Sequence, residues 1–210
     1  TSNNYLIRYT YFYQNIINNY SSSKLLNHWN KSKFNFLAFA EKRLESRWEG
    51  DIKKEEIIYK TLCNFRSQII KNFISKKDSK IFGEGWNTSK KRQSHNDWHL
   101  NKLSYNGLSK TIIAIENVCA ANYITEKPFD ALAMLSIPIV YWGSNSDAKD
   151  YFIDGSYINL YGKDVDQSIS LIRDFKPNIH NAEAYLETLR INLKKFNSLK
   201  NLEKSRSKIA

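Results

Sequence analysis

The sequence predicts an α/β fold built on a Rossmann-like, doubly wound parallel sheet, and three observations carry that reading. "TIIAIEN" (Thr111–Asn117) and "SIPIVYWG" are continuous apolar runs rather than alternating ones, as expected of strands covered on both faces. Stretches with helical spacing alternate with such runs, the order that builds parallel sheets through crossover helices. At "NYITEKPFDAL" a strand hands over to a helix, and an acid, a base and a proline crowd its start. In open sheets of this class, ligands bind outside the carboxyl ends of the strands, beside helix N-termini.

Taken in order, residues 1–33 are polar and rich in Asn, Ser and Tyr, with "NNYSSSK" as a loop signal. They read as a linker, or as the remnant of something larger. "FNFLAF" (Phe34–Phe39) is the first buried strand, and the charged loop "EKRLESRWEGD" follows. From Ile52 to Ile74 apolar residues recur at helical spacing (Ile57, Ile58, Leu62, Phe65, Ile69, Ile70, Phe73), which predicts a helix. "SKIFGEGW" is a short second strand, and "NTSKKRQSHNDWHLNK" a loop with one helical turn. After Thr111–Asn117 come a helix over about Thr125 to Leu135, the strand "SIPIVYWG", a short helix in "SDAKDYF" and a strand in "SYINLY". "DVDQSISLIRDF" is a helix with an acidic start, favourable to its dipole. From Asn181, Tyr185, Leu189, Leu193 and Phe196 mark a final helix with a basic end. The expected organisation is thus 1–33 as above, an α/β domain over 34–180, and a basic helix and tail over 181–210.

Composition bounds the function. A chain of 210 residues with 41% hydrophobic and 14% aromatic residues can bury a core and is not of a disordered class. No apolar run reaches the roughly 18–20 residues that span a bilayer. The absence of an initiator methionine reads as a partial chain. The net charge of +11 admits a polyanionic partner, but the lysines are dispersed and no arginine-rich arm or RNA-binding aromatic motif is present, so no nucleic-acid partner is expected. Cys63 and Cys119 fit no metal or redox spacing. His95 and His99 stand at i, i+4 without an evident third ligand and read as a wet loop, so no metal is expected.

The segment "IIAIENVCAANYITEKPFDALAMLSIPIVYWGS" resembles the signature of the α-1,3/4-fucosyltransferases, glycosyltransferase family 10. That signature runs from a hydrophobic strand ending in FEN, through a short loop, to Y-x-T-E-K, a helix and a strand ending near W-G. "NFRSQIIKNF" is similar to the family's arginine-bearing helix, and "IFGEG" to the strand end after it. The resemblance spans about residues 34–190 and is most specific over 110–160. The sequence departs from the pattern at Ile115 (usually Phe), Val118 (usually Ser), Pro128 (usually aliphatic), and Leu135 and Ser136 (usually a small residue and Gly).

The resemblance implies the C-terminal, donor-binding half of a GT-B glycosyltransferase, with 34–180 as the nucleotide-sugar-binding domain and 1–33 as a linker or the remnant of an N-terminal acceptor domain. It implies inverting transfer of fucose from GDP-fucose to a hydroxyl of a glycan acceptor, with no cofactor beyond the donor. Arg66 and Lys127 then stabilise the departing diphosphate, and Glu116, Asn117, Tyr123, Thr125 and Glu126 bind the donor. The residues fit that chemistry on their own terms. Thr125 is a natural N-cap, Pro128 sits in the first turn where its missing N–H costs nothing, and the helix start offers amides and a positive dipole end to phosphate. The ordinary readings stand beside these: a solvated Glu-Lys turn, a surface arginine on an amphipathic helix, and loop capping by Glu116 and Asn117. No catalytic base is assigned. Two other functions stay open: a GT-B transferase using another nucleotide sugar, and a non-catalytic basic binding module. The basic C-terminal tail suggests peripheral membrane contact. Localisation would be cytoplasmic or membrane-peripheral in a bacterium and the Golgi lumen in a eukaryote.

Overall fold

The structure, a computed structural model, describes residues 2–54, 57–86, 102–121 and 123–206. Its centre is a five-stranded parallel sheet of β1 (Phe34–Phe39), β4 (Ser79–Phe82), β5 (Ser109–Ile113), β7 (Ile137–Val140) and β8 (Ile158–Asn159) in the order β4-β1-β5-β7-β8. Numbered within the sheet that order is 2-1-3-4-5, the doubly wound topology whose direction reverses between β1 and β5. The apolar runs form strands because both faces are covered. Phe36 and Ala38 belong to the large core, while Leu37 between them packs with Ile112, Ala131 and Met134. Pro138 fits a central strand because β8 pairs only with Ile139 and Val140, so no second ladder runs past it.

Helix α3 (Cys63–Lys71) connects β1 to β4, and α4 (Glu126–Ala133) connects β5 to β7. Helix α5 (Val165–Asp174) packs on α3 and carries the expected acidic start: Asp164 caps the helix and exchanges hydrogen bonds with Gln167. "SDAKDYF" yields one 3-10 turn, Asp147–Asp150. The last helix, α6, runs from Ile179 to Arg206.

Two regions differ from the sequence reading. The polar start is not a linker: it forms α1 (Ser2–Asn19) and α2 (Ser22–Asn30), which dock on α6. Tyr13, Leu25 and Trp29 are fully buried there. Trp29 donates its indole N–H to the carbonyl of Leu135 at 2.9 Å and meets the Tyr185 ring edge-on at 5.2 Å. The composition concealed this because Asn and Ser occupy the exposed faces of helices whose inner faces carry large aromatics. Second, Ile52–Ile74 is not one helix. Strands β2 (Asp51–Lys54) and β3 (Ile57–Thr61) pair antiparallel, and only Cys63–Lys71 is helical. The β-branched and aromatic content of "IIYKT" wins over a helical period that short apolar runs imitate by chance. Strand β6 (Val118–Cys119) joins β3 to complete a small second sheet, β2-β3-β6. His95, His99 and the loop around them lie outside the described residues.

Candidate functional site

The sheet order reverses direction between β1 and β5, and doubly wound sheets take their ligands beside the exits of the strands at such a reversal. Three consecutive residues leaving β5 organise this corner. Ile115 accepts a hydrogen bond through its carbonyl from Arg66 Nη1 at 2.7 Å, and Asn117 Oδ1 accepts one from Arg66 Nη2 at 3.2 Å. Between them, Glu116 points to the opposite cation. Its carboxylate, in a residue only 2% exposed, accepts Lys127 Nζ at 2.7 Å, the Thr125 amide at 2.8 Å and the Thr125 hydroxyl at 2.7 and 2.9 Å.

This geometry follows from the local sequence. β5 is too apolar to tolerate an unpaired carboxylate at its end, so Glu116 requires donors, and the first turn of α4 supplies them. Thr125 caps the helix with an extended backbone and accepts from the Lys127 amide at 3.5 Å. Pro128, buried, takes the third helical position, where no amide is needed. Lys127 Nζ also donates to Thr125 Oγ1 at 2.8 Å and lies 3.9 Å from Glu126. Two of its three N–H bonds are therefore held within the protein, and its side chain stays 26% exposed. Glu126 turns outward at 38% exposure. Burial pushes its carboxyl upward, but the Lys127 charge, a hydrogen bond from its own backbone, Lys102 and Thr125 together outweigh this, leaving it below the usual glutamate value. Tyr123 is 37% exposed beside the same carboxylates; burial and their negative charge raise its hydroxyl above the ordinary tyrosine value.

Arg66 is brought to the same corner as Lys127 but is 5% exposed and fixed behind the loop. Its Nε is buried without a partner. Burial lowers its pKa, against the opposing pull of Cys63, with the like charge of Arg43 adding to the lowering. Asn117 orients the loop: besides Arg66, it receives the Leu62 amide on its carbonyl at 2.8 Å.

Further contacts that the sequence did not mark lie around this corner and behind α4. Arg43, just beyond β1, donates to Cys63 Sγ at 3.3 Å and Glu41 at 2.9 Å, and lies 4.3 Å over Trp48. Lys60 of β3 donates to the Tyr141 hydroxyl beyond β7 at 2.8 Å. Behind α4, Asp130 accepts from Lys102 Nζ at 2.7 Å and from the Tyr9 hydroxyl at 2.8 Å, all three buried. No spacing signals the long-range ones among these contacts, since they join segments brought together only by the fold. Among the described residues, no group of three or more His, Cys, Asp or Glu is arranged to hold a metal.

A family model described as glycosyltransferase family 10 (fucosyltransferase), C-terminal part, matches residues 54–203. Among curated proteins, the alpha-(1,3)-fucosyltransferase FucT of Helicobacter pylori is 37% identical over 90 residues, which is 42% of this chain and 18% of that protein. A crystal structure of an alpha1,3-fucosyltransferase aligns at 21% identity and a TM-score of 0.46, covering 76% of this chain and 38% of the other. The chain thus spans well under half the length of either relative.

Proposed function

The chain belongs to glycosyltransferase family 10, the fucosyltransferases, and from that premise we propose that it forms the donor-binding half of a GT-B enzyme. In this reading the enzyme transfers fucose from GDP-fucose to a glycan hydroxyl with inversion. The observation that carries the reading is Lys127, an ammonium pre-positioned by Glu116 and Thr125 at the start of α4, at the carboxyl end of β5. Helix amides and a fixed cation in such a place suit a diphosphate, and fixed cations aimed at growing charge accelerate its departure.

The roles divide by exposure. Lys127 takes the phosphate charge as the bond to fucose breaks. Glu126, ionised and outward, accepts from sugar or ribose hydroxyls, and Tyr123 packs against the ligand. Thr125 caps the helix toward the phosphate. Glu116 and Asn117 act on the donor through the residues they hold. Arg66 adds positive potential from behind the loop and reaches a phosphate only by exchanging its bond to Asn117. The attacking hydroxyl must lose a proton to a base, for which these residues offer no candidate facing the acceptor. The basic end of α6 would give peripheral membrane contact; no helix among the described residues is long and apolar enough to cross a membrane.

The test is thermal stabilisation by GDP against UDP. At about one hundred times Kd a native-state ligand adds about 2.7 kcal/mol, so GDP should raise Tm by about 5–10 °C, and the rise should vanish in Lys127→Ala. A stronger response to UDP would favour another nucleotide sugar, and no response to either sinks the assignment.

A further inference from the structure

Helix α1 packs against α4, the helix whose first turn carries Glu126 and Lys127. The Tyr9 hydroxyl donates to Asp130 Oδ1 at 2.8 Å and stands 3.4 Å from the Glu126 carbonyl, one turn earlier. The Tyr13 hydroxyl donates to the Phe129 carbonyl at 3.0 Å. The other carboxylate oxygen of Asp130 accepts Lys102 Nζ at 2.7 Å. Tyr9, Lys102 and Asp130 are all buried. An ion pair so placed is costly to desolvate unless its remaining lone pairs are met, and Tyr9 meets one of them. Burial, and then the Asp130 charge, push the Tyr9 hydroxyl far above the ordinary tyrosine value, so it stays a donor.

The space beside this cluster, bordered by Arg8, Leu103, Ala133 and Met134, measures about 10 Å³. That admits one water molecule at most, so the cluster is not itself a ligand site. Its groups act on the protein, and what they hold is α4. The Tyr9 ring is fixed in turn, with its centroid 5.8 Å from that of Tyr13 and 6.0 Å from those of Phe129 and Phe196. Phe196 belongs to α6, so α1 is a strut between α6 and the first turn of α4. The strut lies outside residues 54–203, the span that the family model matches.

We infer that Tyr9 is a positioning residue for the donor corner: through Asp130 and the Glu126 carbonyl it fixes α4 so that Lys127 meets the terminal phosphate of a nucleoside diphosphate. The ligand in that statement rests on the transferase reading above. A reacting group misplaced by about 1 Å can cost about a hundred-fold in rate, so a bond remote from the ligand has leverage. The experiment compares the full chain with Tyr9→Phe and Tyr185→Phe. Both variants keep their rings. Tyr185 donates to the Leu132 carbonyl at 2.6 Å, toward the other end of α4, and so controls for general loosening. Calorimetry reads GDP and GMP binding. NMR without nucleotide reads exchange of the Thr125 amide, which donates to Glu116. Tyr9→Phe should raise the Kd for GDP about five-fold or more, leave that for GMP within about two-fold, and speed Thr125 exchange about five-fold. Tyr185→Phe should move none of these beyond about two-fold. Unchanged GDP affinity in Tyr9→Phe, equal loss of GDP and GMP, or equal weakening in both variants overturns the positioning role and leaves the donor site standing. If the wild type binds neither nucleotide, the donor reading falls and Thr125 exchange decides alone. Faster exchange only in Tyr9→Phe then sustains the hold on α4, and any other pattern removes it.

Discussion

Glu116→Gln isolates the interaction that holds Lys127 at the start of α4. The carboxamide keeps nearly the same shape and one acceptor for the Thr125 amide and hydroxyl, but it presents either a donor or a neutral oxygen to Lys127. What is lost is one charge-assisted bond at 2.7 Å to a carboxylate that is 2% exposed. Bonds of that kind contribute about 1.5–3 kcal/mol. Lys127, at 26% exposure, can recover some hydration, which argues for about 2 kcal/mol, the lower half of that range. For a chain of this size the corresponding fall in Tm is about 4–8 °C. Urea denaturation of the wild type, Glu116→Gln, Lys127→Met and the double variant separates the pair from its surroundings. The coupling energy should be about 1–2 kcal/mol, since the second change finds the bond already gone. Additivity within about 0.5 kcal/mol would refute the claim that Glu116 holds Lys127 in place.

Three further outcomes follow from the fold. Trp29→Ala should cost about 3–5 kcal/mol, because it empties a fully buried site and orphans the Leu135 carbonyl; an unchanged urea midpoint would mean that α2 is not docked. Gly83→Ala should cost at least about 3 kcal/mol, since φ is +138° and the added Cβ would stand 2.0 Å from the Ala40 carbonyl oxygen. Gly162→Ala, at φ +76° with nothing within 4 Å, should cost only about 1–2 kcal/mol, and equal losses would place the clash in doubt. His28 is held below its usual pKa by burial, against a raising contribution from the Gly107 backbone. The unfolded chain therefore binds the proton first, so His28 leaves stability intact above about pH 6.5 and withdraws it as pH falls through its lower folded value. His28→Phe should flatten that limb of a urea-midpoint profile, and an unaltered slope would assign it to other groups.

The parallel sheet and its helices were legible because a strand buried on both faces must be apolar throughout, and "TIIAIEN" and "SIPIVYWG" are. The handover to α4 was legible for a different reason: Thr125, Glu126, Lys127 and Pro128 each suit a helix start, and their conjunction is improbable elsewhere. The direction in which each side chain points was not legible. Glu116 and Glu126 are both glutamates near Lys127, yet one is sealed inside and the other faces solvent, a distinction made by the packing of the loop between them. Residues 2–30 misled because buried Tyr9, Tyr13, Ile16, Leu25 and Trp29 are interspersed among many asparagines and serines, which raise the mean polarity without altering the buried face. Leu135 adopts φ +57° where the family pattern has small residues. The strain of that left-handed turn, about 1–2 kcal/mol, is offset by burial of its side chain and by the bond from Trp29 to its carbonyl.

The short strand β6 belongs to one sheet while the residues just before it belong to the exit of another. Lys60 pairs with Cys119 on β6 and also grips Tyr141 beyond β7. The peptide between Ile115 and Cys119 is thereby anchored at one end to the main sheet and at the other to the small one. A substitution in the small sheet therefore reaches Glu116 and Asn117 through the backbone, without any side-chain contact of its own with them.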